Sequence, residues 1–477
     1  MASNRLLIDF GSTFTKVVYL DLVRNEIISK ARHPSTIDTD ITEGLNACFV
    51  EISKDSGLKT LETRDALACS SAAGGLRIAC IGYVPDYSSE AANLAALGAG
   101  AKVVGCYSYE ITKRELDEIE TLLPDIILLT GGTDGGDKKV IIHNARVLAN
   151  YKRPGTIILV AGNKTAYDEI KEIFQKRGRE VIFTGNVMPE IGRLDVGSCN
   201  KKIREIFIQR IIEAKGIAKA KKIVSNILMP TPSAVSNAAR LISEGYGGVE
   251  GLGELFVIDV GGATTDVHSV AEGSPSTGAV NLRGLPEPYV KRTVEGDLGL
   301  RFNIERLIEV LEEKDVPSAV TCMARKFSEQ GCFPLDEEGM NCHTLLSRLA
   351  VEVATDRHAG RIDVRYGPTG KILVQYGKDF TGIQCIIGTG GPIVFSRHPD
   401  EILMGAMSRQ DAPQLLKPRE PNLYVDAEYV LYAGGLMSQV EPEKALGFMK
   451  KYLKTLPHHH MLSEGHYLLR RYDRIKE

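Results

Sequence analysis

Two aspartates, Asp9 and Asp259, each end an apolar run and stand just before a glycine-bearing turn rich in hydroxyls. The first stretch reads Ile8-Asp9-Phe10-Gly11-Ser12-Thr13-Phe14-Thr15-Lys16, and the second Ile258-Asp259-Val260-Gly261-Gly262-Ala263-Thr264-Thr265-Asp266. Glycine lets backbone N–H groups approach an anion closely, and a carboxylate beside such a turn suits a divalent cation that keeps some of its waters. Gly11, Ser12, Thr13 and Thr15 are therefore candidate phosphate donors, and so are Gly261, Gly262, Thr264 and Thr265. The side chain of Lys16, set on a strand, reaches either a phosphate or solvent, and the sequence leaves both open. Asp266 is expected to order its own hairpin. The phosphate loop GxxxxGK[ST], which enters a helix, does not occur.

The elements that must hold these loops are strands. Leu6 to Phe10, Thr15 to Leu20 and Ile27 to Ala31 read as an antiparallel set, and Leu255 to Ile258 followed by Val267 to Val270 as a second hairpin. Residues 66–72 and 77–83 are further strand candidates, and Ser88-Ser89-Glu90 reads as the cap of an alanine-rich helix through Ala101. From 107 to 200 helices and strands alternate as in a small parallel-sheet unit. Within it, Thr130-Gly131-Gly132-Thr133-Asp134-Gly135-Gly136-Asp137 is either an anion site at a helix start or a turn with an N-cap. A basic helix is expected over residues 201–215, and Pro230-Thr231-Pro232 opens a helix through Ile242. The five glycines of residues 245–253 read as a flexible connector. Beyond them come helices near 300–313, 315–329 and 342–358, then an alternating hairpin, Ile362, Val364 and Tyr366 against Ile372, Val374 and Tyr376. Cys385 to Pro392 is a buried strand ending in Gly388, Gly390 and Gly391. A helix over 426–437 and a mostly helical polar tail follow.

The chain has 477 residues, enough for two or more domains, and 43% hydrophobic residues, enough for a substantial interior. A formal charge of −3 provides no broad basic field, which argues against nucleic acid or a membrane surface as partner. Nine cysteines without a CxxC pair fit reduced thiols in a soluble cytoplasmic chain. The even spacing of Cys322, Cys332 and Cys342 is a poor match to metal-ligand pairs, and His458, His459 and His460 read as a solvated approach to the tail.

Taken in order, these motifs resemble the actin, heat-shock chaperone and sugar kinase ATPase superfamily. Residues 6–20 and 256–270 are similar to its two phosphate motifs. Pro232 to Ala239 and residues 426–436 resemble its connecting helices, and residues 385–392 its adenosine motif. Within the superfamily, IDFGSTFTK, TGGTDGG, IDVGGATTDV and VEGDLGLR resemble the MutL or GlmL type of accessory protein, which is unrelated to the mismatch-repair protein of similar name. The resemblance implies an α/β chain of two ribonuclease H-like lobes, the actin-like ATPase fold, with an inserted small α/β domain. The lobes would be 1–240, carrying the insert 107–200, and 241–440, with a tail over 441–477.

It also implies ATP and Mg2+ as cofactors, with Asp9 and Asp259 facing each other across a cleft and holding the metal through its waters. Gly388, Gly390 and Gly391 would lie where adenine and ribose approach the backbone. The implied partners are subunits of an adenosylcobalamin-dependent mutase such as glutamate mutase, on which the protein acts as an ATP-dependent chaperone or reactivating factor. In the chaperone branch a glutamate ahead of the connecting helix helps to position the attacking water. Thr231 stands in that place here, and a hydroxyl orients water without being a carboxylate base, so slow hydrolysis is expected. A small-molecule kinase of the same fold and a nucleotide-binding scaffold are the alternatives.

Overall fold

The computed structural model describes residues 4–36, 39–58, 61–71, 76–213, 226–275, 280–312, 318–330, 336–368 and 370–457. The chain divides into two compact units, Met1–Ala234 with Gly284–Lys291, and Val235–Arg283 with Arg292–Glu477.

Among its described residues the first unit holds ten strands: β1 (Asn4–Phe10), β2 (Phe14–Asp21), β3 (Glu26–Pro34), β4 (Leu67–Ser70), β5 (Arg77–Ile81), β6 (Lys102–Tyr107), β7 (Ile126–Leu129), β8 (Ile157–Val160), β9 (Val181–Phe183) and β10 (Asn226–Pro230). They form two sheets, ordered β10-β4-β1-β2-β3 and β6-β5-β7-β8-β9. In the first, β1, β2 and β3 are antiparallel, and β4 and β10 run parallel to β1. The helix Ile41–Ser56 covers this sheet with Ile41, Leu45, Cys48 and Ile52, a one-face spacing. The Asp40 side chain accepts from Thr42 N–H at its start, and Gly57 ends it in the left-handed conformation, φ 71°. Fully burying an Ile or Leu contributes about 1.5–3 kcal/mol, so this stripe fixes the helix on the sheet more firmly than its caps do.

The second sheet is parallel throughout and has the doubly wound order 2-1-3-4-5. It starts at Arg77, ahead of the boundary drawn at 107. The short apolar run Arg77–Ile81 has no feature that selects one sheet over another, and its pairing with β7 decides the matter. The expected serine cap is also absent: Ser89 makes no capping bond. Ser88 Oγ accepts from Tyr83 and Val84 N–H instead, as the chain enters the helix Glu90–Gly98 through a wider turn.

The second unit contains a two-stranded ribbon, β11 (Gly245–Tyr246) with β12 (Val249–Glu250), in the stretch read as a flexible connector. The glycines there serve close packing: a side chain on Gly251 would meet the Ser243 carbonyl, and Gly245, Gly247 and Gly248 all have positive φ. The main sheet uses β13 (Leu255–Val260), β14 (Thr265–Val270), β16 (Val290–Glu295), β19 (Cys385–Thr389), β20 (Asn422–Asp426) and β21 (Leu453–Thr455), in the order β16-β14-β13-β19-β20-β21. β13 is antiparallel to β14 and parallel to β19, which is parallel to β20. Apart from the added edge strand β21, this is the strand order of the first unit again. β21 replaces part of the expected helical tail, and the helix expected from 426 begins at Leu431 because Asp426 ends β20. A separate three-stranded sheet, β15 (Val280–Arg283), β17 (Arg361–Gly367) and β18 (Gly370–Tyr376), contains the expected alternating hairpin. The His458 triplet, Cys332 and Thr369 lie outside the described residues.

Candidate functional site

The two aspartate loops have the same construction. In the first unit, Phe10 pairs with Thr15 and the turn between them is closed by Gly11 N–H donating to the Phe14 carbonyl, 3.0 Å. In the second, Val260 pairs with Thr265 and Gly261 N–H donates to the Thr264 carbonyl, 2.9 Å. Glycine is needed at the first turn because a Cβ on Gly11 would sit 2.5 Å from the Phe14 oxygen. Ser12 is exposed at the tip, and Thr13, Gly261, Gly262 and Thr264 are half-buried.

Asp9 is buried, 1% exposed, among polar atoms of three side chains. Lys16, its cross-strand neighbour, places Nζ 2.7 Å from Oδ2, so the lysine side chain lies on the carboxylate and not in solvent. Thr231 Oγ1 donates to Oδ1 at 2.6 Å from the start of the helix Thr231–Glu244, and the Cys69 thiol on β4 lies 3.6 Å from the same oxygen. Burial first, then the Asp9 charge, pushes the Cys69 thiol far up, so it stays protonated and acts as a weak donor. Sequence reasoning found Asp9, Lys16 and Thr231 but missed Cys69. Only the parallel pairing of β4 with β1, Asp9 opposite Cys69, brings that residue in.

Thr15 occupies the opposite face. The pleat that puts Asp9 beside Lys16 turns Thr15 inward with Phe10, where it is fully buried, and its Oγ1 lies 3.3 Å from where a Cβ on Gly44 would be. Thr265 repeats the pattern: it is buried, with Oγ1 donating to the Leu298 carbonyl at 2.7 Å. Both threonines, expected as phosphate donors, have side chains buried beneath their hairpins, and that of Thr265 is tied to the Leu298 carbonyl.

In the second loop the position equivalent to Lys16 is Asp266, opposite Asp259 on β14. Arg292 on β16 holds it from within the fold, Nε at 2.9 Å and Nη2 at 2.6 Å from Oδ1, and Thr264 Oγ1 donates to Oδ2 at 2.9 Å. Asp259 itself is half-buried. Gly390 packs against it with φ 88°, and a Cβ there would lie 2.5 Å from Asp259 Oδ1. Gly388 has no Cβ because Ile393 and Leu403 fill that space. Gly391, at the start of the short helix Gly391–Val394, is open: a Cβ there would meet nothing nearer than the Phe395 ring at 4.0 Å.

The stretch Glu295-Gly296-Asp297-Leu298-Gly299 braces this loop. Arg301 and Phe302 N–H donate to the Gly262 carbonyl, Asn303 Nδ2 donates to the Ala263 carbonyl at 2.6 Å, and a side chain on Gly299 would overlap Ala263. Arg357 holds Glu295 at 2.6 Å and Asp297 at 2.8 Å. Arg292 and Arg357 carry no local sequence signal, since each acts on a loop far away in the chain.

The glycine-rich loop after β7 is closed on itself. Asn163 accepts from Gly135 N–H and donates to the Gly136 and Asp137 carbonyls, and Asn186 donates to the Gly132 carbonyl and to Asp134. Among the described residues no group of three or more His, Cys, Asp or Glu is placed to hold a metal, and no helix is long and apolar enough to cross a membrane.

A repeated strand order, with an aspartate-to-glycine hairpin at the same place in each copy, defines a ribonuclease H-like α/β protein of the actin-like class. The family model described as MutL protein matches residues 5–453, and the chain belongs to that family. It is 44% identical over 459 residues to Protein MutL of Clostridium tetanomorphum, covering 94% of this chain and 98% of the relative. Among solved structures it is similar to gluconate kinase from Lactobacillus acidophilus (10% identity, TM-score 0.35, 99% of this chain and 96% of that one). It is also similar to the ethanolamine utilization protein EutJ from Carboxydothermus hydrogenoformans (10%, 0.30, 94% and 90%).

Proposed function

We propose that this protein binds and slowly hydrolyses ATP with Mg2+, and that it serves as an accessory, reactivating protein for an adenosylcobalamin-dependent mutase. The observation that carries the nucleotide half is the repeated hairpin: the same register, the same glycine-closed turn and an aspartate one residue before the last strand pair in both units. Family membership supports the mutase half.

The donor set suits a hard cation. The Asp9 carboxylate lies beside the Thr231 hydroxyl, Asp259 stands at the base of a hairpin rich in hydroxyls, and the Cys69 sulfur near Asp9 is held protonated. Asp9 in its hairpin and Asp259 in its own are each a group that would hold Mg2+ through its waters, and a bound ion would neutralise charge on phosphate. Gly11, Ser12 and Thr13 in the first loop, and Gly261, Gly262 and Thr264 in the second, would each serve phosphate by backbone N–H and hydroxyl donation. Gly390 and Gly391 would leave room for the nucleoside. Lys16 neutralises Asp9 and supplies positive charge beside any phosphate on that loop. Thr231 shares its hydroxyl with Asp9, so it orients water as a polar neighbour and is too weakly basic to take a proton.

Phosphate release from Mg-ATP without added acceptor tests this reading against its alternatives. ADP formation that needs a small-molecule acceptor, with the terminal phosphoryl group passing to that acceptor, would make the protein a kinase, and binding with no turnover in either case would make it a scaffold.

A further inference from the structure

The three-stranded sheet β15-β18-β17 gathers positive charge in a way that its own contacts do not explain. Strand register sets Arg361 and Arg283 directly opposite Tyr376, one on each flanking strand. Arg361 stacks over the tyrosine ring at 5.1 Å and Arg283 at 5.8 Å. Arg365, two pleats along the same face, donates to the Tyr376 hydroxyl at 2.9 Å, and Arg283 donates to it at 3.3 Å. The carboxylate on this face is Asp363, 3.5 Å from Arg361 and itself partly exposed. Among the described residues, three guanidiniums thus converge on one neutral ring with a single anion beside them, and like charges brought this close repel.

We infer that this face is a docking surface for a carboxylate-rich segment of a partner protein. Aspartate and glutamate side chains would enter bidentate pairs with guanidiniums already oriented by the tyrosine, at little further cost in side-chain order. Arginine and tyrosine are also the residues that anchor protein interfaces, and Arg283, Arg361 and Arg365 are all exposed. The inference rests on the proposed function only for the identity of the partner, a mutase subunit.

The test measures binding of fluorescent poly-L-glutamate to the full chain by anisotropy, with inorganic tripolyphosphate as a second probe. Arg283→Gln/Arg361→Gln/Arg365→Gln should weaken poly-glutamate binding about tenfold, equivalent to about 1.4 kcal/mol. Replacing the three arginines by lysine should restore part of it, because charge is kept while the bidentate geometry is lost. An unchanged thermal midpoint in the glutamine variant shows that the fold is intact. Equal poly-glutamate binding by wild type and glutamine variant would overturn the inference. So would tripolyphosphate binding that is tighter than poly-glutamate binding and lost with the same three arginines. Capture of mutase subunits by the wild type is measured alongside: its absence counts against the proposed function, while the poly-glutamate comparison alone decides the docking surface.

Discussion

Asp9 is a tightly constrained ionisable group, buried with Lys16 on one oxygen and Thr231 on the other. Removing one partner of a buried ion pair leaves an uncompensated charge, so Lys16→Ala should lower unfolding free energy by about 3 kcal/mol, measured by chemical denaturation. Thr231→Val removes one hydrogen bond to a charged acceptor; a loss of roughly 1.5–3 kcal/mol is expected in the same measurement. Asp259 is half-buried at the edge of its loop. Asp259→Asn should therefore leave the fold intact and reduce Mg-dependent phosphate release by at least about tenfold. Unchanged release would remove Asp259 from the metal site. His268 belongs to the same scale. Burial holds its pKa down from 6.5 to about 3, with Ser236 Oγ 2.8 Å from Nδ1, and burial lowers His343 to about 4. Both are neutral in the fold, whereas the unfolded chain takes up their protons below about pH 6.5. Stability is therefore full above that pH and falls toward pH 4, with a slope of up to about 1.4 kcal/mol per pH unit for each histidine. His268→Gln should flatten the denaturation profile between about pH 6 and 4.

At the scale of elements, the hairpins were legible because aspartate, glycine and hydroxyls interrupt apolar strands at the same spacing twice. The pleat was the part that composition obscured. Thr15 and Thr265 look like donors among so many hydroxyls, yet alternation turns both inward, and the register that does so becomes visible only once Phe10 and Val260 are paired across the turn. Lys16 was undecided in sequence for the same reason, and its position opposite Asp9 decides it. Arg292, Arg357 and Cys69 reach the loops through strand and helix neighbours distant in the chain, where no local spacing points to them. The start of the parallel sheet at Arg77 and the ribbon at Gly245 were missed because short apolar or glycine-rich runs do not reveal their pairing partners. Gly390 offers a test at this scale. A methyl group there would press on Asp259 at a backbone φ of 88°, so Gly390→Ala should destabilise the second unit and weaken nucleotide binding together. Normal stability with normal binding would show that the close approach has no role.

Across the whole molecule, one strand order occurs twice, and in each copy the β1-β2 or β13-β14 hairpin brings an aspartate to the same turn. A single phosphate loop would be a weak argument for the proposed nucleotide binding; the repetition with matching register makes the proposal stronger, and the chain belongs to the MutL protein family. Ligand that binds only the folded chain raises its thermal midpoint by mass action, so Mg-ATP should stabilise the protein and ATP with chelator much less. Titration calorimetry of Mg-ATP into the full chain is the most direct measurement. The account predicts saturable binding in wild type, weakened by magnesium chelation and by Asp259→Asn, and it is contradicted by wild-type protein that takes up no Mg-ATP or binds it equally well after both changes.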